Sequence, residues 1–294
     1  MASTWRLFQS STATKSIGGL AVAGIGGGLY YRYMMSVAQA DSGAPAQAFG
    51  KAPAFQLLKL QSAEMVNHNT KRLRFELPEG DMVSGLGLSS ALLTASWPKG
   101  CWLPALRPYT PITPLDERGH LDLLVKHYPN GKQSTHIHSL QPGESLRFVV
   151  QIPGYAWQRN KHAAVTLIAG GAGITPLYAL AQGILSDPQD TTKVTLVYGA
   201  NGDADVLLKD QFDAWEREHP GRFRAVYTVS APDAGSAYRK GYVDKALLKE
   251  VAVAPGTENT QVLVCGPPAM EKALVGPSGI LTELGYAKGQ VYKF

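Results

Sequence analysis

The chain has 294 residues but only two cysteines, and its first forty residues contain no Asp or Glu. Cys101 and Cys265 are far apart and form no CxxC pair, which argues against a zinc site or a disulfide framework; a single disulfide between them is an alternative. No run of Lys or Arg indicates a nucleic-acid partner, although the formal net charge is +5. With 45% hydrophobic and 17% charged residues, the composition is that of a folded chain long enough for roughly two domains.

The acid-free amino terminus is rich in Ser and Thr and carries only basic charges, a composition typical of an organellar transit peptide. The apolar run Ile17–Tyr31, extended to Met35, approaches the roughly 20 residues that span a bilayer. We therefore predict that residues 1–35 form a targeting sequence and a single-pass membrane anchor, at the mitochondrial outer membrane or in the intermembrane space. A cleaved presequence and another membrane are the alternatives. The small, polar residues 36–52 predict a linker.

Residues 53–160 show short alternating segments rather than helical periodicity. Five strands are predicted, at Ala54–Lys59, Leu73–Leu77, Arg107–Thr113, Leu121–Tyr128 and Ser145–Val150. A single short helix is predicted at Thr135–Leu140. Short strands at this spacing, separated by Gly, Pro and Asn, favour an antiparallel β-barrel.

Two candidate ligand sites lie in this region. The first is Arg107-Pro108-Tyr109-Thr110. Its Arg can bind a phosphate, and the ring of its Tyr, two residues later on the same side of the strand, can stack on a flat heteroaromatic ring. An exposed cation beside a core tyrosine is the alternative for these four residues alone. Further on, Gly131-Lys132-Gln133-Ser134 precedes the short helix, whose N–H groups can bind an anion. Ser134 could cap that helix or donate to a phosphate.

Residues 161–294 alternate strands with helices, which predicts a parallel sheet covered on both faces, with ligands at the carboxyl ends of its strands. The predicted strands are Ala164–Ala169, Lys193–Gly199, Arg222–Ser230 and Gln261–Cys265. The predicted helices are Pro176–Leu185, Val206–Glu218, Val243–Val251 and Pro268–Leu274.

Two loops of this second region carry candidate nucleotide-binding residues. The first follows a buried strand and opens a helix, so its glycines let a diphosphate approach the backbone; its candidates are Gly170, Gly171, Gly173, Thr175 and Pro176. The second follows the strand that ends at Cys265; its candidates are Cys265, Gly266, Pro267, Pro268 and Met270. A buried free thiol at a strand end is the alternative for Cys265.

Asp205 is the candidate for contacting the ribose of a nucleotide. A carboxylate can accept a hydrogen bond from the ribose 2′-hydroxyl and repels a 2′-phosphate. Asp203 is the alternative, since either residue could instead cap the following helix.

Together these motifs resemble the NADH–cytochrome b5 reductases, within the ferredoxin reductase-like group. The resemblance rests on RPYTPIT at 107–113, LDLLVKHYPNGKQSTHIHSLQPGE at 121–144, GGAGITP at 170–176 and CGPPAM at 265–270. It extends over about residues 53–294, including the aromatic chain end at Phe294. It implies an N-terminal antiparallel β-barrel that binds FAD, followed by a Rossmann-like α/β domain that binds NADH.

The resemblance also implies roles for individual residues. The cofactor contacts that the resemblance implies in the first domain are Arg107, Pro108, Tyr109, Thr110, Leu124, Lys126, Gly131, Lys132, Gln133 and Ser134, with Lys126 close to the nicotinamide side. The glycine-rich loop and the CGPPAM segment would contact pyridine nucleotide, and Asp205 would favour NADH. Thr110, Lys126 and Cys265 would align the nicotinamide with the flavin, Cys265 without forming a covalent bond. Hydride would pass from NADH to FAD, and single electrons to cytochrome b5 or a similar acidic haem protein.

Three departures from the family pattern keep a structural role open: Ala172 replaces Thr, His127 replaces a small apolar residue, and Val150-Gln151 replaces Gly-Pro. Because His127 neighbours Lys126 on a strand, it is predicted to face away from the flavin. One alternative is a same-fold reductase that serves a ferredoxin, a nitrate-reducing module or a quinone. The other is a flavin-fold protein retained as a structural or assembly subunit of a membrane complex.

Overall fold

The computed structural model describes residues 44–50, 55–97 and 102–294. The predicted targeting sequence and membrane anchor, residues 1–35, lie outside the described residues, as does Cys101. No helix among the described residues is both long enough and apolar enough to cross a membrane. Residues Gln47–Phe294 form one compact unit, which contains two six-stranded sheets.

The first sheet is antiparallel, as predicted. Its strands are β1 (Gln56–Asn67), β2 (Thr70–Glu76), β3 (Ala91–Ser96), β4 (Ala105–Tyr109), β5 (His120–Lys126) and β6 (Ser145–Ile152), with helix α1 (Lys132–Ser139) between β5 and β6. The strand order is β4-β3-β6-β1-β2-β5. Among the described residues the edge strands β4 and β5 do not pair with each other, so hydrogen bonds do not close the barrel there.

Several element boundaries in this domain were predicted wrongly. Strand β3 was missed because most of its side chains are buried, and it therefore lacks the alternation that marks a half-buried strand. Strand β4 stops at Tyr109 rather than Thr113, and Pro111 within the missing stretch has no N–H to donate to a ladder. Helix α1 begins at Lys132 rather than Thr135, so Ser134 lies inside its first turn and does not cap it.

The core of the first domain includes a residue from the predicted linker. Phe49 is 1% exposed and packs its ring 5.9 Å from that of Phe148, which in turn lies 5.4 Å from Phe75. Backbone hydrogen bonds from Ala48 to Val83 and from Phe49 to Ser84 hold this segment in place. The packed region therefore starts before Pro53.

The second sheet is parallel, as predicted. Its strands are β7 (Ala164–Gly170), β8 (Lys193–Ala200), β9 (Phe223–Val229), β10 (Arg239–Lys240), β11 (Thr260–Cys265) and β12 (Val291–Lys293). Its helices are α2 (Ile174–Ser186), α3 (Lys209–Glu218), α4 (Lys245–Val251), α5 (Pro268–Val275) and α6 (Ile280–Glu283). The strand order is β10-β9-β8-β7-β11-β12.

Both faces of this sheet are covered. Leu196 and Leu167 pack in one apolar cluster with α2 and α3, whereas Val197 and Ile168 pack in another with α4, α5 and α6. Helix α3 begins at Lys209 rather than Val206, because Leu208 adopts a left-handed conformation with φ 60°. A short 3₁₀ turn, Asp203–Asp205, precedes it.

Candidate active site

A cavity of about 1250 Å³ is lined by residues of both domains. This volume exceeds the roughly 300–1,000 Å³ of an ordinary small-molecule site, so the cavity has room for a dinucleotide. The predicted site residues that line it are Arg107, Pro108, Tyr109, Thr110, Leu124, Lys126, Gly131, Lys132, Gln133, Ser134, Gly173, Thr175, Pro176 and Cys265. Residues far apart in sequence thus share one cavity.

The charge of the lining suits a diphosphate. Arg107, Lys126 and Lys132 contribute three cationic side chains, of which Lys126 is ion-paired with Asp205 behind the cavity wall, and no Asp or Glu is among the described residues that line the cavity. Such cations can bind the two phosphates of a dinucleotide through charge-assisted hydrogen bonds.

Strand β4 supplies one wall of the cavity. Burial raises the pKa of Tyr109 to about 12, although Arg107 opposes the shift. The phenol therefore stays protonated near neutral pH and can donate a hydrogen bond. Thr110, which is 7% exposed, follows directly.

The start of α1 is anchored to the sheet by a buried side chain. Gln133 donates to the Thr94 hydroxyl at 2.7 Å and accepts from the Ser96 hydroxyl. Ser134 donates to the Gly131 carbonyl at 3.1 Å and accepts from the backbone N–H of Tyr128 at 3.2 Å. No side chain caps the helix, so backbone N–H groups of its first turn are available to an anion.

The glycine-rich loop and the loop after β11 pack against each other. A Cβ atom on Gly170 would stand 2.3 Å from the sulfur of Met270 and 2.9 Å from Pro267. Gly171 has φ +51° and no neighbouring atom within 4 Å of the position of a Cβ, so its backbone is open to a ligand. Seven predicted residues do not line the cavity: Gly170, Gly171, Asp205, Gly266, Pro267, Pro268 and Met270.

Comparison with known proteins identifies the family of the chain. It matches the family profile of the oxidoreductase FAD-binding domain over residues 57–152 and that of the oxidoreductase NAD-binding domain over residues 167–275. It is 47% identical to NADH-cytochrome b5 reductase 2 of Pyricularia oryzae, over 97% of this chain and 92% of that protein. The protein of the same name from Emericella nidulans is 46% identical, over 94% of this chain and 89% of that protein. The chain belongs to the NADH–cytochrome b5 reductase family.

A solved structure of a cytochrome b5 reductase domain has the same architecture. The cytochrome b5 reductase domain of Ulva prolifera nitrate reductase superposes with a TM-score of 0.76 at 28% identity, over 85% of this chain and all of that one. The predicted order, an FAD-binding domain followed by an NAD-binding domain, is confirmed.

In this reductase family member, Cys265 has a neutral thiol. Burial raises its pKa to about 12, and the nearby carboxylate of Glu271 adds to the shift. Because a thiolate is the nucleophilic form, covalent catalysis by Cys265 is disfavoured near neutral pH. Its place in the cavity lining is that of a contact residue.

Asp205 is buried and its carboxylate is bound by protein donors. Oδ1 accepts from the Lys126 amino group at 2.7 Å and from the Asn69 amide at 3.3 Å, and Oδ2 accepts from the N–H of Gly202 at 3.1 Å. Burial opposes its ionisation, but the hydrogen bond and charge of Lys126 outweigh burial and lower the pKa. Asp205 is not among the residues lining the cavity. Asp203, the alternative, accepts from the N–H of Asp233 at 3.2 Å.

The three departures from the family pattern lie in different places. Ala172 lines the cavity, and its carbonyl accepts from the Thr175 hydroxyl at 3.3 Å. The ring of His127 lies 3.1 Å from the Thr135 hydroxyl and is not part of the lining. Gln151 lies in β6 and donates to the Ser90 hydroxyl at 3.1 Å.

Sequence reasoning missed several residues of the cavity wall. Tyr128, Asn130 and the aromatic pair Tyr292 and Phe294 line it as well. The backbone N–H of Phe294 bonds to Val264, which brings the chain end to the carboxyl end of the sheet. The aromatic residues at the chain end were the sequence feature that could have indicated this part of the wall.

Proposed function

We propose that this chain is an NADH–cytochrome b5 reductase that holds FAD in the cavity shared by its two domains. The observation that carries the proposal is that the RPYT and GKQS residues, part of the glycine-rich loop and Cys265 line one cavity, whose described lining has three cations and no carboxylate. The 47% identity to the Pyricularia oryzae protein supports it.

The residues present fit an FAD. Arg107, Lys132 and the uncapped first turn of α1 would hold its diphosphate, and the Tyr109 ring would stack on a flat ring system. When bound, FAD supplies the chemistry by taking a hydride from NADH and passing on its electrons one at a time. Thr110, Lys126 and Cys265 lie in the same lining, where they would orient the nicotinamide and exclude water.

The proposed acceptor is cytochrome b5, as the names of the fungal relatives state for those proteins. The net charge of +5 is compatible with an acidic haem protein.

The test is a steady-state assay of the purified full-length chain with NADH. Cytochrome b5, a ferredoxin and a soluble quinone are offered in turn, and cytochrome b5 should be reduced fastest. Faster reduction of ferredoxin or quinone would show that the enzyme serves an acceptor other than cytochrome b5. A protein that stays colourless after incubation with FAD would favour a structural or assembly subunit.

We also propose that residues 1–35 target the chain to mitochondria and anchor it by one helix. The supporting observation is the acid-free, hydroxyl-rich start followed by the apolar run Ile17–Tyr31. Because Phe49 belongs to the core, the deletion that tests the anchor should remove residues 1–43 only. The shortened chain should be active and leave the membrane fraction in cell fractionation, and its continued sedimentation with membranes would contradict the anchor.

A further inference from the structure

An exposed apolar surface lies on the first domain, where β3 leads into β4. Trp102 is 98% exposed, Leu103 is 80% exposed and Trp97 is 51% exposed. These three side chains form the tryptophan face; residues 98–101 lie outside the described residues. None of the three lines the cavity. Large apolar side chains that are exposed together, rather than scattered singly, mark an interaction surface.

The sheet beside the tryptophan face is apolar and basic. The guanidinium carbon of Arg147 in β6 lies 5.1 Å from the centre of the Trp97 ring, and Arg147 is paired with the exposed Leu57 of β1. Lys59, exposed two residues further along β1, points to the same side of the sheet. In the sequence, residues 82–115 contain no Asp or Glu. Tryptophans beside cations are the composition that favours the interface of a bilayer with anionic lipids.

The chain enters the first domain close to this surface. At the start of β1, the Gln56 side chain donates to the Ala48 carbonyl at 3.0 Å. Gln56 and Thr94 are both paired with Phe148, so they lie at one level, two strands apart. Trp97 follows three residues after Thr94. With about 4.8 Å between strands and about 3.3 Å per residue, Gln56 and Trp97 are separated by about 14 Å.

The proposed anchor would hold a bilayer within reach of the tryptophan face. From Met35, at the end of the apolar run, the chain to Ala48 can span at most about 45 Å. This length exceeds the separation of about 14 Å between the start of β1 and Trp97. A bilayer that carries the anchor is therefore presented to the tryptophan face at the high effective concentration of an intramolecular contact.

We propose that the tryptophan face, together with Lys59 and Arg147, docks on the lipid surface of the membrane that carries the chain. Trp97 and Trp102 lie at the level of the headgroups, where indole rings collect, and Leu103 reaches the acyl chains. The two cations face anionic headgroups. This inference goes beyond electron transfer, and it rests on the proposed function only for the anchor.

Docking at this surface sets the orientation of the cavity. Strand β4 follows the tryptophan face directly, and the cavity wall begins at Pro104, one residue after Leu103. The wall continues through Arg107 on the same strand. The cavity is therefore held close to the membrane surface, where an acceptor attached to the same membrane meets it.

The test measures contact with lipid on the full-length chain with FAD bound, in vesicles of phosphatidylcholine and phosphatidylglycerol. In a Trp5→Phe background, the tryptophans outside the tryptophan face are Trp157 and Trp215, and neither is exposed. Phospholipids brominated in their acyl chains should quench the tryptophan fluorescence of this chain. Adding Trp97→Phe and Trp102→Phe should reduce the quenched intensity roughly tenfold or more, because an interfacial side chain reaches the boundary of the acyl chains.

The matched control places a tryptophan on the second domain. Tyr242 is exposed and lies outside the cavity lining, so Tyr242→Trp in the chain without Trp5, Trp97 and Trp102 should not restore the quenching. All of these variants should keep the wild-type rate of flavin reduction by NADH, because none of the changed residues lines the cavity.

Absence of quenching, equal quenching with and without the two tryptophans, or quenching restored by Tyr242→Trp would overturn the docking. A dimer in sedimentation that Trp102→Ser/Leu103→Ser dissociates would also overturn it, because a second copy of the chain would then cover the face. A failed anchor shows separately, as chains washed off the vesicles; absence of quenching with vesicles in excess still overturns the docking. Flavin that NADH does not reduce would refute the proposed function, whereas the quenching does not depend on it.

Discussion

The carbonyl oxygen of Cys265 lies so close to Gly173 that a Cβ atom on the glycine would stand 2.4 Å from it. Since real Cβ contacts are never this short, Gly173→Ala must push the two loops apart and displace the cavity wall they share. We expect the rate of flavin reduction at saturating NADH, measured by stopped flow, to fall roughly tenfold or more.

The matched control is Gly289→Ala in the same domain, where no atom lies within 4 Å of the added Cβ. Its rate should equal that of the wild type. Equal rates for both variants would show that the packing of the two loops does not set the geometry of the site.

Loss of the Arg107 guanidinium should weaken FAD binding. The exposed side chain lines the cavity on the wall of β4, and hydrogen bonds to charged groups contribute about 1.5–3 kcal/mol each. For Arg107→Gln we expect the Kd of FAD, titrated into the apoprotein, to rise on the order of 10- to 100-fold. Arg118→Gln, an exposed first-domain residue outside the cavity lining, should not change it. If Arg107→Gln and the wild type bind FAD with equal affinity, Arg107 does not contact FAD.

The thiol of Cys265 should resist alkylation. With a pKa of about 12, its thiolate fraction at pH 8 is on the order of one in ten thousand, against about a quarter for an ordinary cysteine. In a Cys101→Ser background, iodoacetamide should therefore modify Cys265 at least about 100-fold more slowly than it modifies free cysteine, as followed by mass spectrometry. Alkylation at the rate of free cysteine would show that the thiol is activated.

Asp122 should stabilise the folded chain at neutral pH, and this stabilisation should be lost in acid. It is 1% exposed and accepts hydrogen bonds from Arg74 at 2.8 Å and from Arg72 at 2.9 Å. Burial alone would raise its pKa, but the two guanidinium groups outweigh burial and lower it. A lowered folded-state pKa gives stability that is present above the ordinary value of about 3.9 and is lost as pH falls through the folded pKa.

We therefore expect Asp122→Asn to unfold with a free energy about 2 kcal/mol lower at pH 7, a value discounted because both arginines are partly exposed. Between pH 5 and pH 3 the deficit should shrink, as measured by urea denaturation. Asp116→Asn, at an exposed position, serves as the control. A deficit that is constant with pH would mean that the charge of Asp122 does not stabilise the fold.

The architecture was predictable because its signals are local. Buried runs such as Ala164–Gly170, followed by a glycine-rich loop and a helix, mark a parallel sheet and its ligand edge without knowledge of tertiary contacts. The cavity residues on β4 and β5 were found because their motifs are short and contiguous.

What could not be predicted depends on contacts between distant segments. Lys126 and Asp205 are separated by 79 positions, so no spacing rule shows that they pair. Asn67 and Asn69 look like ordinary turn residues, because only the folded chain brings the 3₁₀ turn after β8 against them. Phe49 is flanked by small and polar residues typical of a linker, and its burial depends on the strands that surround it.

The most direct test of the account is sequential stopped flow on the FAD-loaded full-length chain. NADH is mixed first while flavin absorbance is followed, and ferric cytochrome b5 is added next while haem reduction is followed. The account predicts rapid flavin bleaching by NADH and then haem reduction at a rate that rises with cytochrome b5 concentration. Bound flavin that NADH does not bleach would contradict the account and leave the chain a flavin-fold protein without reductase activity.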